Sequence, residues 1–184
     1  MPAKKAESFA ALLRGINVGG KNSLPMKDLA ALFVKAGCGK VATYIQSGNV
    51  VFQADRVLAE RLSGVVAGAI LKNFGIQVPV IIRSAPAMSK IAVGNPFLKS
   101  GSDIEALHVA FLTVSPSAAQ VQSLDPERSP GDRFRVQDSE VYLYCPNGFG
   151  RSKLNNQYFD SKLKTTSTIR NWKTVLKLVD MLTD

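Results

Sequence analysis

Residues 8–22, SFAALLRGINVGGKN, decide how the rest of the chain is read. Ser8 to Arg14 is a short apolar run closed by a charge, the pattern of a buried strand. Arg14 to Asn22 then gathers Gly15, Asn17, Gly19, Gly20 and Asn22, residue types that take up turn conformations at little cost. From Pro25, PMKDLAALFVKAG sets Met26, Leu29, Leu32, Phe33 and Ala36 at helical spacing. Pro25 suits a first helical turn, Ser23 or Asn22 is available as a cap, and Gly37 and Gly39 end the helix. RGINVGGKN is therefore a polar loop between a first strand and a first helix.

Outward from that loop the alternation continues. VATYIQ-SGN-VVFQA is two β-rich runs about Ser47-Gly48-Asn49, a hairpin. Val57 to Phe74 reads as a helix stopped by Gly75. Ile76 to Arg83, IQVPVIIR, is a strand whose Pro79 places it at a sheet edge. The order over residues 8–83 is βαββαβ, the ferredoxin-like split βαβ arrangement. Its strands are apolar on both faces, so the face without helices must also be covered, for which the second half is the candidate.

Ser84 to Ser102 is a Pro/Gly/Ser-containing crossing and the expected boundary. Beyond it, Leu107 to Thr113 is a strand, Ser117 to Leu124 a short helix, and FRVQDSEVYLYC a hairpin turning at Asp138-Ser139. Ser152 to Leu163 and Thr168 to Leu182 read as helices. The second has Trp172, Val175, Leu176, Val179 and Leu182 on its apolar side. The fold class expected is α+β: a ferredoxin-like βαββαβ unit over 1–83, a crossing at 84–102, and a smaller α+β unit over 103–184. That second unit runs βαββα and finishes in a helix where the first has a strand, which hints at two related units.

Composition narrows the function classes. With 46% hydrophobic and 20% charged residues, 184 residues can bury a core without staples. Apolar stretches fall far short of the roughly 20 residues that cross a bilayer, so no membrane partner is expected. MPAKKAESF lacks an apolar signal region and reads as a frayed start, consistent with a cytoplasmic protein. Cys38 and Cys145 make no disulfide or metal-site spacing, and with His108 the sole histidine no metal site is expected. His108, inside LHVAF, reads as a structural strand residue. Net charge is +9, from 23 basic and 14 acidic residues, a surface that attracts nucleic acid or phosphorylated small molecules.

Topology brings two polar segments together. In a βαββαβ sheet the first two strands run the same way, because a helical crossover joins them. The RGINVGGKN loop and the QSGN hairpin must then leave the sheet at one edge. Arg14, Asn17, Lys21, Asn22, Gln46, Ser47 and Asn49 would share a small patch of cations and amides, suited to an anion. Gly15-x-x-x-x-Gly20-Lys21 also falls one residue short of a P-loop, with Asn22 where Ser or Thr should hold magnesium. Leu24 and Pro25 delay the helix, no Walker-B aspartate ends a strand, and the sheet is antiparallel, all of which argue against it. A turn whose Asn and Arg side chains hydrogen-bond the backbone is the plainer reading.

ALLRGINVGGKNSLPM, TYIQSGNVVF and TTSTIRNWKTVLKL closely resemble the bacterial family of uncharacterised proteins known as domain of unknown function 1697, over essentially the whole chain. The resemblance implies an α+β fold with a ferredoxin-like first unit and no established activity or cofactor. Its distinctive positions fall on Arg14, Gly15, Asn17, Gly19, Gly20, Asn22, Ser47, Gly48 and Asn49, with Arg170, Asn171 and Trp172 in the third motif. Ala30-Ala31 departs from the longer side chains of relatives, on the surface and away from the site.

The third motif is expected to open a helix capped by Thr166, Ser167 or Thr168. Arg170 and Lys173, with Arg151 and Lys153 of GFGRSKLNN, form the densest basic region, and Trp172 belongs to the core. On the functional reading, Arg170 and Asn171 face the RGINVGGKN edge across an interdomain cleft. Tyr44, Phe52 and Phe9 invite comparison with an RNA-stacking sheet, but NVVFQ lacks the basic-aromatic signature. Three functions remain open: binding of an anionic ligand at the loop-and-hairpin edge; an enzyme using the same patch, with Lys21 or Arg14 on developing negative charge; and an interaction protein with no ligand site.

Overall fold

The computed structural model describes residues 6–183 of the chain. The frayed start expected at the N-terminus lies largely outside the described residues. Eight strands form two four-stranded antiparallel sheets. Contacts divide the chain into two units: residues up to Ser89 together with those from Leu178 onward, and Lys90–Lys177.

In the first unit the elements are β1 (Glu7–Leu13), α1 (Met26–Lys35), β2 (Gly39–Tyr44), β3 (Asn49–Ala54), α2 (Arg56–Phe74) and β4 (Val80–Ser84), with sheet order β2-β3-β1-β4. This is the ferredoxin-like order, and β4 is an edge strand as Pro79 required. The alternation of β1 explains its apolar run. Phe9, Ala11 and Leu13 point with Val50 and Phe52 into a core shared with Leu29, Phe33, Leu62, Val66 and Ile70 of the helices. Ala10 and Leu12 occupy the other face and are fully buried as well. Phe9 stacks on Phe52 at 5.6 Å and Phe33 meets the same ring at 5.2 Å, so these aromatics are core and not a platform for bases. Asp55 caps α2 by accepting from Leu58 N at 2.9 Å, and Gly75 ends it in the left-handed conformation. The cap expected for α1 is absent: Pro25 stands at the N-cap with no side-chain bond, and Asn22 is used elsewhere.

The crossing at 84–102 contains a helix that composition concealed, α3 (Ala85–Gly94). Ser84 Oγ accepts from Ala87 N at 3.4 Å, Pro86 fits the first turn, and Met88 and Ile91 are buried.

The second unit holds β5 (Leu107–Leu112), α4 (Ala118–Gln122), β6 (Arg133–Gln137), β7 (Glu140–Tyr144), α5 (Asn156–Leu163) and β8 (Ser167–Asn171), followed by α6 (Trp172–Thr183). Its sheet order, β6-β7-β5-β8, repeats that of the first unit. Ala110, Leu112, Val141 and Leu143 pack with Leu154, Phe159 and Leu163 on the helical side. The third motif opens as a strand, and not as the helix start that its sequence suggests. Ser167–Asn171 pairs with β5 from Leu112 back to His108, so this unit too is a full βαββαβ, and the helix starts at Trp172. Beta-branched Thr168 and Ile169 favour that strand, while Asn171 Oδ1 accepts from Thr174 N at 2.8 Å and caps the helix in place of the residues expected. With the start moved to Trp172, the buried stripe is Trp172, Val175, Leu178 and Leu182, and Leu176 is exposed.

Candidate functional site

At the end of β1 the backbone is tied to both neighbouring segments. Leu13 N donates to Gly48 O at 2.8 Å and Arg14 N to Pro79 O at 3.1 Å. The loop leaving β1 and the β2–β3 hairpin therefore emerge at one edge, as strand direction required.

Asn17 joins the two. Its Nδ2 donates to Gln46 O at 2.9 Å and to Leu24 O at 2.8 Å, while its Oδ1 accepts from Leu24 N at 2.8 Å. Asn22 Nδ2 donates to Gly15 O at 2.8 Å, and Asn17 N to Asn22 O at 3.1 Å, closing the loop on itself. Asn49, fully buried, donates from Nδ2 to Tyr44 O at 3.2 Å and to Ser47 Oγ at 3.1 Å inside the hairpin. Asn17 and Asn22 both sit at positive φ, which asparagine tolerates better than other non-glycine residues. Three of the candidate ligand-binding residues are thus the frame of the site, each spending its amide on main-chain or hairpin partners.

Within the frame, Val18 and Lys21 form an isolated bridge, with Lys21 N donating to Val18 O at 3.1 Å. Gly19 and Gly20 between them lie at φ +59° and +71°, the signs a type I′ turn needs at both central positions. The loop is a miniature hairpin, not a phosphate cradle, and α1 begins only at Met26. Lys21 is exposed, and its ammonium has no bonding partner among the described residues. Arg14 is half-buried at the loop's root and Gln46 exposed beside it.

Two residues that the sequence reading did not single out stand beside this frame. Val18 is 61% exposed and Ile45 50% exposed. Ile45 also lies at φ +48°, a conformation β-branched residues rarely take. Nothing in their types announces this; only the loop geometry does.

Arg170 and Asn171 lie in the second unit. Arg170 is a buried strand residue whose Nη1 donates to Thr168 Oγ1 at 2.8 Å and to Ile169 O at 3.0 Å. Burial pushes its guanidinium down to about 10. Asn171 is the helix cap. Lys173 pairs with Glu105. Trp172 is buried, as its helical register implied. His108 is buried against Phe149, ring centroids 4.5 Å apart, and burial lowers its pKa. Burial raises both thiols to about 11, which makes them poor nucleophiles. Among the described residues no cluster could hold a metal ion, and no helix is long and apolar enough to cross a membrane.

Comparison with known proteins agrees with this architecture. The family model described as "Protein of unknown function (DUF1697)" matches residues 6–142, and the chain belongs to that family. No curated protein matches. Among solved structures, a conserved bacterial protein, SP0830 from Streptococcus pneumoniae, is similar at 22% identity with a TM-score of 0.73, over 97% of this chain and 99% of that one. That likeness is one of fold.

Proposed function

We propose that this member of the DUF1697 family binds a polyanion, nucleic acid foremost, at the edge where the β1–α1 loop meets the β2–β3 hairpin. Lys21 and Arg14 are the cations of the site. The observation that carries the reading is the contrast within the loop. Asn17, Asn22 and Asn49 are consumed in fixing its shape, while Lys21 closes a two-residue turn and its exposed ammonium has no partner among the described residues. A frame rigid before binding loses little conformational freedom on binding. An exposed turn suits a run of phosphates better than an enclosed small molecule, and the net charge of +9 favours approach of any polyanion.

The test is fluorescence anisotropy with single- and double-stranded oligonucleotides across a salt series. Binding should weaken linearly with log salt concentration, and Lys21→Ala should reduce that slope by about 1 for a single phosphate contact. Affinity indifferent to salt, or unchanged in Lys21→Ala, would remove the reading. A phosphorylated small molecule that protects the native state while oligonucleotides do not would replace the polymer with a metabolite at the same edge.

A further inference from the structure

A second, separate polar site lies within Lys90–Lys177. A surface pocket of about 370 Å³ is lined by Arg128, Asn155, Gln157, Tyr158, Ser161 and Lys162. Helical spacing puts Gln157 with Ser161 and Tyr158 with Lys162 on neighbouring rows of α5. Arg128 comes from the turn between α4 and β6.

The placement of Arg128 is specific. Its guanidinium lies over the Tyr158 ring, 5.2 Å from the centroid. That ring is buried, and its hydroxyl oxygen accepts from Asp125 N at 2.7 Å, so the surface on which the arginine rests is fixed. A guanidinium stacked on an aromatic face keeps its N–H edges free for another ligand. Among the described residues no carboxylate lines the pocket. Asp160, on the same helix, is turned to Ser167, accepting from its N at 2.8 Å and its Oγ at 2.7 Å. Asp125 Oδ1 accepts from Glu127 N at 2.9 Å within its own turn. The side chains of Gln157, Ser161 and Lys162 have no partner among the described residues. The main-chain N of Lys153 donates at 3.1 Å to the Oγ of Ser129, the neighbour of Arg128, which ties the turn carrying Arg128 to the segment before α5.

We infer that this pocket binds the phosphate of a small phosphomonoester. A planar fork, an ammonium, a hydroxyl and an amide can together donate to the oxygens of one dianion, and the fork is already positioned. The volume lies near the lower end of ligand pockets, which fits a compact phosphorylated metabolite and not a polymer. Asn155 is committed as the cap of α5, its Oδ1 accepting from Tyr158 N at 3.0 Å, and so is not counted among the ligands.

The experiment titrates glycerol 3-phosphate into the isotope-labelled full chain at constant ionic strength, following backbone amides by NMR. Saturable shifts are expected at Arg128, Gln157, Ser161 and Lys162. Arg128→Ala and Lys162→Ala should each weaken the apparent affinity several-fold and together at least tenfold, with thermal midpoints unchanged because both side chains are exposed. Arg128→Lys should behave like Arg128→Ala, since an ammonium has neither the fork nor the stack. Non-saturating shifts, saturable shifts confined to other residues, or affinity retained in Arg128→Ala would overturn the inference. Lys21→Ala should leave this titration unaltered, so the fate of this pocket and that of the first-unit edge are read separately.

Discussion

Gly48 and Leu13 meet with no room for a methyl group between them. Leu13 N donates to Gly48 O at 2.8 Å, and a Cβ on Gly48 would stand 2.8 Å from Leu13 Cβ and 3.0 Å from Ile16 Cδ1. Gly48 also lies at φ +79°. The edge that carries the candidate site depends on this approach, because it seats the β2–β3 hairpin against the root of the β1–α1 loop.

Gly48→Ala should therefore destabilise the protein by about 2–4 kcal/mol, combining a left-handed backbone with overpacking against a strand. Gly15→Ala, also at positive φ but with nothing within 4 Å, should cost only about 1 kcal/mol. Urea unfolding of the two variants checks the order; equal losses would mean that the contact with Leu13 is soft.

Asn17→Ala removes the side chain's hydrogen bonds to Leu24 O, from Leu24 N and to Gln46 O, together with a weak 3.9 Å one to Met26 Sδ. At about 1 kcal/mol net for each, the loss should be about 2–3 kcal/mol. Amide exchange at Leu24 should rise with it. A variant as stable as the parent, with Leu24 still protected, would contradict the role of Asn17 as the tie between loop and hairpin.

Ile45 sets strain against exposure. Replacing it with asparagine, which accepts positive φ more readily, should stabilise by about 1 kcal/mol after allowing for the apolar surface that Ile45 does bury. If Ile45→Asn lowers the unfolding midpoint instead, the side chain packs better than half-exposure suggests.

His108 makes stability depend on pH in a defined direction. Burial disfavours its charged form, so its folded pKa lies below the unfolded value, about 6.5. The unfolded chain then binds more protons between those two values, and stability falls as pH drops through that window. Above about pH 6.5 the contribution is fully present. His108→Gln should flatten the dependence below about pH 6.5, measured as unfolding free energy at each pH.

Burial also sets the behaviour of the thiols. With Cys38 and Cys145 both raised to about 11, alkylation of the native protein at pH 8 should be slow and become fast in denaturant. Rapid native labelling at either position would point to local opening of its unit.

The first unit was legible from sequence because its signals agree at several levels. Phe9, Ala11 and Leu13 carry a strand, Asp55 and Gly75 bracket α2, and Pro79 marks an edge. The convergence of Asn17 with Gln46 followed from strand direction alone. What the asparagines do there did not, since an amide that could meet a ligand can equally meet the main chain. The third motif misled for a related reason. In TSTIRNW the helical stripe beginning at Trp172 masks a five-residue strand, Ser167–Asn171, whose only local signal is Thr168-Ile169. Helix α3 was hidden by Pro86 and Gly94, residues that look like loop punctuation but sit at its ends. Ile45 gave no sign at all, because a positive φ in a β-branched residue is imposed by its surroundings and not chosen by it.

The allocation of residues from Leu178 onward to the first unit has a consequence for biogenesis. On the ribosome, everything up to Ser89 is made first, and the segment that completes that unit is made after all of Lys90–Lys177. Domains emerging from the ribosome tend to fold as they appear. Here the core of the earlier-made unit is drawn from Phe9 to Ile82, so it can form before the later unit is synthesised, and a stalled or truncated product lacks only the segment from Leu178 onward that joins it afterwards.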